Sequence, residues 1–363
     1  MPLSTKTKTG VAVVCALCCA LLGVYLWGRL IAPGVTREPR DLIKAAVKPS
    51  FEKSGERSIS SLASQTPLAP VRRELPAKPS LSRLEDYVDA NGRIAASLLA
   101  AYRISGQVQY LKEAVEKYPS DLHVAFAAVF QEELSPEDRR KWLENFKQTD
   151  PNNPLGNYLS AWDYFKSERI ESALVELASA DGKGPLHNYA SDFEQTDEAV
   201  FRAMGYGSAD ASWMAESSLR LRESVPLHQL GQSLADLLKQ YQSEGDTSSA
   251  TAATRWTLSL ARQLSGDRLQ YTLSTLIGLT MEKDVLGTLD PAAAYDQSGQ
   301  SSADRLAEIE REGAEINRLN RLLPEVLASS PDEDITSFYE LQRSGGPVAA
   351  MRWIFSKTIA PSR

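Results

Sequence analysis

Across the carboxyl-terminal three-quarters of the chain, apolar residues recur at three- and four-residue intervals: Leu98 with Ala101 and Tyr102, Val124 with Ala128, Leu230 with Leu234 and Leu237/Leu238, and Leu269 with Leu273 and Leu276/Ile277. That period places them on one face of an α-helix. No stretch shows the period of two that a half-buried strand needs. The expected fold class is all-α, with antiparallel helix pairs separated by short breaks. Ser82-x-x-Glu85 reads as a capping box, and Ser135-Pro136-Glu137-Asp138 sets an N-cap, a first-turn proline and acidic residues where the helix dipole favours them. Gly106, Gly205, Gly245 and Gly266 mark helix ends. A last helix is expected from Ala303 to Leu323, with Leu306, Ile309, Gly313, Ile316, Asn320 and Leu323 along one seam and Pro324 ending or kinking it. Fewer than three heptads, with Gly and Asn at seam positions, make it a weak coiled coil and favour packing within the chain over a dimer seam.

One segment breaks the pattern. From Thr9 to Gly28 the chain carries no charge, between Lys6/Lys8 and Arg29. Twenty helical residues span about 30 Å, the thickness of a bilayer core, so a signal-anchor transmembrane helix is expected within residues 9–32, preceded by a short basic tail at 1–8. A cleaved signal peptide would have a shorter apolar stretch and a small-x-small site; Leu30-Ile31-Ala32 offers leucine where a small residue belongs. Cys15, Cys18 and Cys19, the only cysteines, all fall inside this segment. The rest of the chain therefore has no disulfide, no cysteine zinc site and no thiol nucleophile. The flanking charges, Lys6 and Lys8 before against Arg29, Arg37, Arg40, Lys44 and Lys48 after, would by simple count keep the body in the cytoplasm. A short basic tail ahead of a single anchor argues the other way, and the expected location is a bacterial inner membrane with the helical body extracytoplasmic.

Residues 33–80 hold seven prolines, several serines and few large apolar residues, the composition of a disordered linker that cannot bury enough surface to offset ordering entropy. Charge is divided unevenly. Residues 1–80 carry 12 Lys/Arg and 5 Asp/Glu, leaving 28 basic and 42 acidic residues beyond them. The body is thus near −14, which argues against nucleic acid as a partner.

Pro119, Pro151 and Pro185 are spaced by 32 and 34 residues, each closing a stretch long enough for two helices. In Asp150 to Pro185, small Ala161 is followed by Tyr164, Ala173, Leu177, Ala180 and the terminal proline. This unit resembles a tetratricopeptide repeat (TPR). Ala127, Phe130, Leu143, Phe146 and Pro151 match less fully, with Arg139 at the second small site; Ala95, Leu98, Leu111, Ala114 and Pro119 form a third unit with Gln107 there. TPR-like repeats are placed at 81–185, forming an α-solenoid, and a divergent helical region at 186–363, with helix pairs expected to continue over 186–224, 225–264 and 267–289. The resemblance implies binding: the first helix of each pair would line a groove for a protein or peptide partner, with Tyr158, Trp162, Phe165 and Lys166 as candidate contacts. The same spacing also suits rings packed between helices.

No catalytic constellation is visible, so an enzyme is not expected, and neither a cofactor nor a metal is implied. His123, His187 and His228 are isolated, and H-E-x-x-H, G-x-S-x-G and P-loop patterns are absent. Glu132/Glu133 and Asp332 to Asp334 read as solvated charge. Glu216-Ser217 matches the start of a lytic-transglycosylase motif, but SLRLRESVPLHQ follows in place of its Gly-Leu-Met-Gln feature. Two functions emerge: a membrane-anchored helical-repeat scaffold or adaptor, and, as the alternative, a membrane-bound envelope-polymer hydrolase using a carboxylate site. Deleting residues 1–32 is expected to move the protein from the pellet to the supernatant on alkaline carbonate extraction. Recovery of the intact chain in the supernatant would refute the anchor.

Overall fold

The structure, a computed structural model, describes residues 76–131, 134–266, 271–295 and 299–359. The expected anchor, its three cysteines, the linker up to residue 75 and the Glu132/Glu133 pair lie outside the described residues. Among the described residues there are fifteen α-helices and no strand beyond a single bridge between Ala294 and Ser301. None of these helices is long and apolar enough to cross a membrane.

The first seven helices are α1 (Leu81–Ala90), α2 (Ala95–Ser105), α3 (Val108–Lys117), α4 (Leu122–Val129), α5 (Pro136–Thr149), α6 (Leu155–Lys166) and α7 (Ile170–Ala180). They form pairs α2/α3, α4/α5 and α6/α7, with Pro119, Pro151 and Pro185 in the connections that follow each pair. Ala161 and Ala173 are fully buried at the α6/α7 contact, where small side chains let the two backbones approach. Beyond them come α8 (Ala190–Ala203), α9 (Ser208–Ser218), α10 (Ser224–Glu244), α11 (Thr247–Ser265), α12 (Thr272–Leu286), α13 (Ser302–Ser329), α14 (Asp332–Gly345) and α15 (Pro347–Ile359).

Caps account for most boundaries. Ser135 accepts a hydrogen bond from the Asp138 amide with Pro136 at the first turn, and Asp121, Asp246 and Ser301 cap α4, α11 and α13 in the same way. Gly106 and Gly245 close α2 and α10 in the left-handed conformation that glycine adopts without penalty. Two boundaries differ from the sequence expectation. The cap of α1 is Ser80, whose hydroxyl accepts from the Arg83 amide, while Glu85 is drawn away to Arg93 and Tyr110. Helix α13 runs through Pro324 to Ser329. Proline costs one backbone bond there, but Leu327 beyond it is buried with Ile335, Phe338, Met351 and Ile354, and this burial holds the last turn. Earlier in the same helix, Ile309 and Ile316 pack on Leu279 and Leu286 of α12, so this seam is used within the chain.

Packing continues past α7, and it returns on itself. Helix α10 packs on α6, α11 and α12; α13 joins α12 to α15; α15 packs on α14, α14 on α9, and α9 on α8. Helices α8 and α9 then pack on α2. Repeats that touch only their sequence neighbours would lack this last contact. Helices α11 and α12 approach closely at Gly278. A Cβ placed on Gly278 would lie 2.5 Å from the Ala261 carbonyl oxygen and 2.7 Å from the Ser265 amide nitrogen, both backbone atoms of α11. At Gly231 the nearest atoms to the same Cβ would be side-chain atoms of Met281, a residue that can bend aside. Gly278→Ala is therefore expected to destabilise by about 1–3 kcal/mol, and Gly231→Ala by less. Urea denaturation of the two variants measures the difference, and equal midpoints would contradict this packing.

Candidate functional site

Helix α8 carries three buried carboxylates, Glu194, Asp197 and Glu198, at the i, i+3, i+4 spacing that puts them side by side. Arg103 of α2 grips Asp197 with a fork of hydrogen bonds at 2.6–3.1 Å. From the other side, Arg343 of α14 reaches Glu198 at 2.7 Å and Glu194 at 3.2 Å, and the Tyr271 hydroxyl donates to Glu194 at 2.9 Å. Burial pushes the Glu194 carboxyl up to about 7 and that of Asp197 to about 6, while the arginines work against the rise. Such pairs balance a large desolvation cost, so removing one partner is far more damaging than replacing the whole set.

The clamp on Asp197 also builds a wall. The guanidinium of Arg103 lies 4.3 Å from the centroid of the Phe193 ring, and both line a cavity of about 340 Å³. Helices α2, α4 and α8 form its sides, together with the segment 219–223 that joins α9 to α10. Tyr102, Phe126, Phe130 and Phe193 supply aromatic surface. Phe126 is fixed from behind by edge and tilted contacts with Phe146 and Tyr189. Arg220, Arg222 and Glu223 arrive from the connecting segment.

That segment is held at two points. Arg222 donates through Nη1 to the Phe130 carbonyl at 3.0 Å and lies 5.5 Å from the Tyr102 ring centroid. Glu223, buried, accepts from Asn188 Nδ2 at 3.0 Å, and burial pushes its carboxyl up to about 7. Arg220 is exposed, and its guanidinium has no ion-pair or hydrogen-bond partner among the described residues. Glu223 is the one carboxylate among the described residues that line the cavity. Glu216 stands apart from it, hydrogen-bonded by Gln342 at 3.3 Å, with burial pushing its carboxyl up.

The residues proposed from the sequence lie on α6, away from this cavity. Tyr158 is buried, its hydroxyl accepting from Gln263 of α11 at 3.2 Å, and burial pushes that hydroxyl up to about 12. Trp162, half-buried, donates from Nε1 to Gln229 of α10 at 2.8 Å. Phe165 packs partly buried against the same core, and exposed Lys166 sits 5.4 Å from the Trp162 ring centroid. These groups are engaged with one another and with α10 and α11. Of the histidines, His123 meets Asp192 at 3.2 Å and His228 lies beside Gln232 on its own helix. No group of three or more His, Cys, Asp or Glu among the described residues is arranged to hold a metal ion. Sequence reasoning missed the cavity residues. The available signal was two arginines in the Leu219-Arg220-Leu221-Arg222 break of an otherwise acidic body.

Compared with known protein families, with curated proteins and with solved structures, the chain matches none.

Glu223 gives the site a pH signature. The folded chain keeps its proton up to about 7, whereas a glutamate in the unfolded chain releases it near the usual 4.5. Between those values the folded state binds more protons, so this group makes stability fall as pH rises through the window. Glu223→Gln keeps an acceptor for Asn188 and removes that contribution. Urea midpoints between pH 5 and 8 are expected to decline less steeply for the variant than for the parent; parallel declines would show that Glu223 is not held protonated.

Proposed function

We propose that the protein is a membrane-anchored helical scaffold or adaptor, and that the cavity between α2, α4, α8 and residues 219–223 receives a segment of a protein partner. One observation carries this reading: a concave site with rigid aromatic walls and arginines bearing unused donors, on a body that is otherwise acidic. Aromatic rings with few rotatable bonds provide contact area at low entropic cost, and a half-enclosed arginine strengthens any charged contact made to it. The spacing of small and large residues over 150–185 resembles a TPR unit, and that resemblance supports peptide binding as the task of the fold. Hydrolysis of an envelope polymer would call on two carboxylates about 5–9.5 Å apart across a cleft, and this lining offers Glu223. The apolar segment at 9–28 and the proline-rich stretch after it support a tethered arrangement, with the body held within reach of the bilayer.

A photoreactive residue at Val108, exposed at the cavity lip, tests the reading in native membranes, with Val175, exposed on α7, as the control position. The expected outcome is a discrete protein adduct at Val108 and none at Val175. Equal labelling at both positions, or no protein adduct at Val108 together with turnover of an envelope polymer, would overturn it.

A further inference from the structure

The donors in the cavity are unevenly used. Arg103 commits Nε and Nη2 to Asp197, leaving Nη1 without a hydrogen bond among the described residues. Arg222 commits Nη1 to the Phe130 carbonyl, leaving Nε and Nη2 without a hydrogen bond among the described residues. Arg220 commits none of its guanidinium donors among the described residues. Arg103 is already paired with Asp197, so two arginines, Arg220 and Arg222, stand beside one carboxylate in the lining, and that carboxylate is bonded to Asn188 rather than to either of them. On a body carrying 28 basic and 42 acidic residues, such a local reversal of sign selects for a negatively charged visitor.

We propose that the cavity recognises an acidic side chain of an extended partner segment, with Arg220 and Arg222 taking the carboxylate and Phe126, Phe130 and Phe193 taking an apolar side chain beside it. The assignment rests on the adaptor reading above and adds the chemistry of the partner. Guanidinium groups match a carboxylate two donors to two acceptors, and such charged bonds are about twice as strong as neutral ones. The volume, about 340 Å³, holds one large side chain and a short acidic one. Four aromatic rings favour a peptide over a bare phosphate, which has no apolar part to bury against them. Glu223 at the wall, once ionised, would also repel a dianion more than a single carboxylate.

Ligand-detected NMR on the full chain in phosphatidylcholine nanodiscs tests this with three probes: N-acetyl-Phe-Glu-amide, N-acetyl-Phe-Gln-amide and inorganic phosphate. The glutamate peptide is expected to bind about tenfold more tightly than the glutamine peptide, a preference that weakens with added salt. Arg220→Gln, a change at an exposed position, is expected to reduce that preference to less than about threefold while leaving the melting temperature unchanged. Equal binding of the two peptides, or binding of neither, overturns the acidic-segment assignment. Displacement of the glutamate peptide by phosphate at equal or lower concentration overturns it in favour of a phosphate-bearing ligand. A protein adduct at Val108 alongside any of these results leaves the adaptor reading standing. Preserved glutamate preference without a protein adduct at Val108 does the reverse.

Discussion

The burial of helix α8 is the constraint on which the rest of the molecule depends. Glu194, Asp197 and Glu198 lie on one side of it, essentially out of solvent. Three carboxylates can occupy that position only if cations come to them or they take up protons, because the cost of stripping the water from each charged group is several kcal/mol. Arg103 arrives from 94 residues earlier and Arg343 from 145 and 149 residues later. Satisfying α8 thus brings side chains of α2 and α14, two distant parts of the chain, to the same helix. The packing of α9 and α8 back on α2 follows from that electrostatic requirement as much as from the apolar surface of Val200, Phe201 and Met214.

The cavity is a by-product of the same clamp. Holding Asp197 fixes the plane of Arg103, and the fixed guanidinium gives Phe193 a surface to stack on. On the opposite side, the 219–223 segment is pinned through the Phe130 carbonyl and through Asn188, so Arg222 is held by the fold and exposed Arg220 extends from a fixed backbone. A site prepared in this way loses little freedom on binding, the main cost that weakens contacts made by long cationic side chains.

Helix positions were legible in the sequence because the period of three to four is a local property. Ser135, Gly106 and Gly245 acted as their local chemistry requires. Ser82 and Glu85 misled because a hydroxyl two residues earlier took the cap and a distant pair, Arg93 and Tyr110, took the glutamate. Pro324 misled because the burial of Leu327 outweighs one lost backbone bond. The site was illegible for a deeper reason. A glutamate bound for solvent and one bound for the core look the same in a sequence, and what separates Glu194 from Glu333 is an arginine some 150 residues away. Tyr158 and Trp162 show the converse, since aromatic spacing on a helix fits a groove and a helix interface equally well, and α10 and α11 supply the partners here.

The charge of the cavity is finely balanced as a result. Arg103 is neutralised by Asp197 behind it, so the attraction available to a visitor comes from Arg220 and Arg222, opposed by Glu223 when that group is ionised. Because burial lifts the Glu223 carboxyl to about 7, the opposition is complete only above neutrality and fades below it. Its bond from Asn188 persists in either state through one oxygen, so the protonation change alters the field in the cavity without releasing the segment that carries the arginines. The buried glutamate, costly to the fold at high pH, thereby sets how strongly two neighbouring cations act on whatever enters.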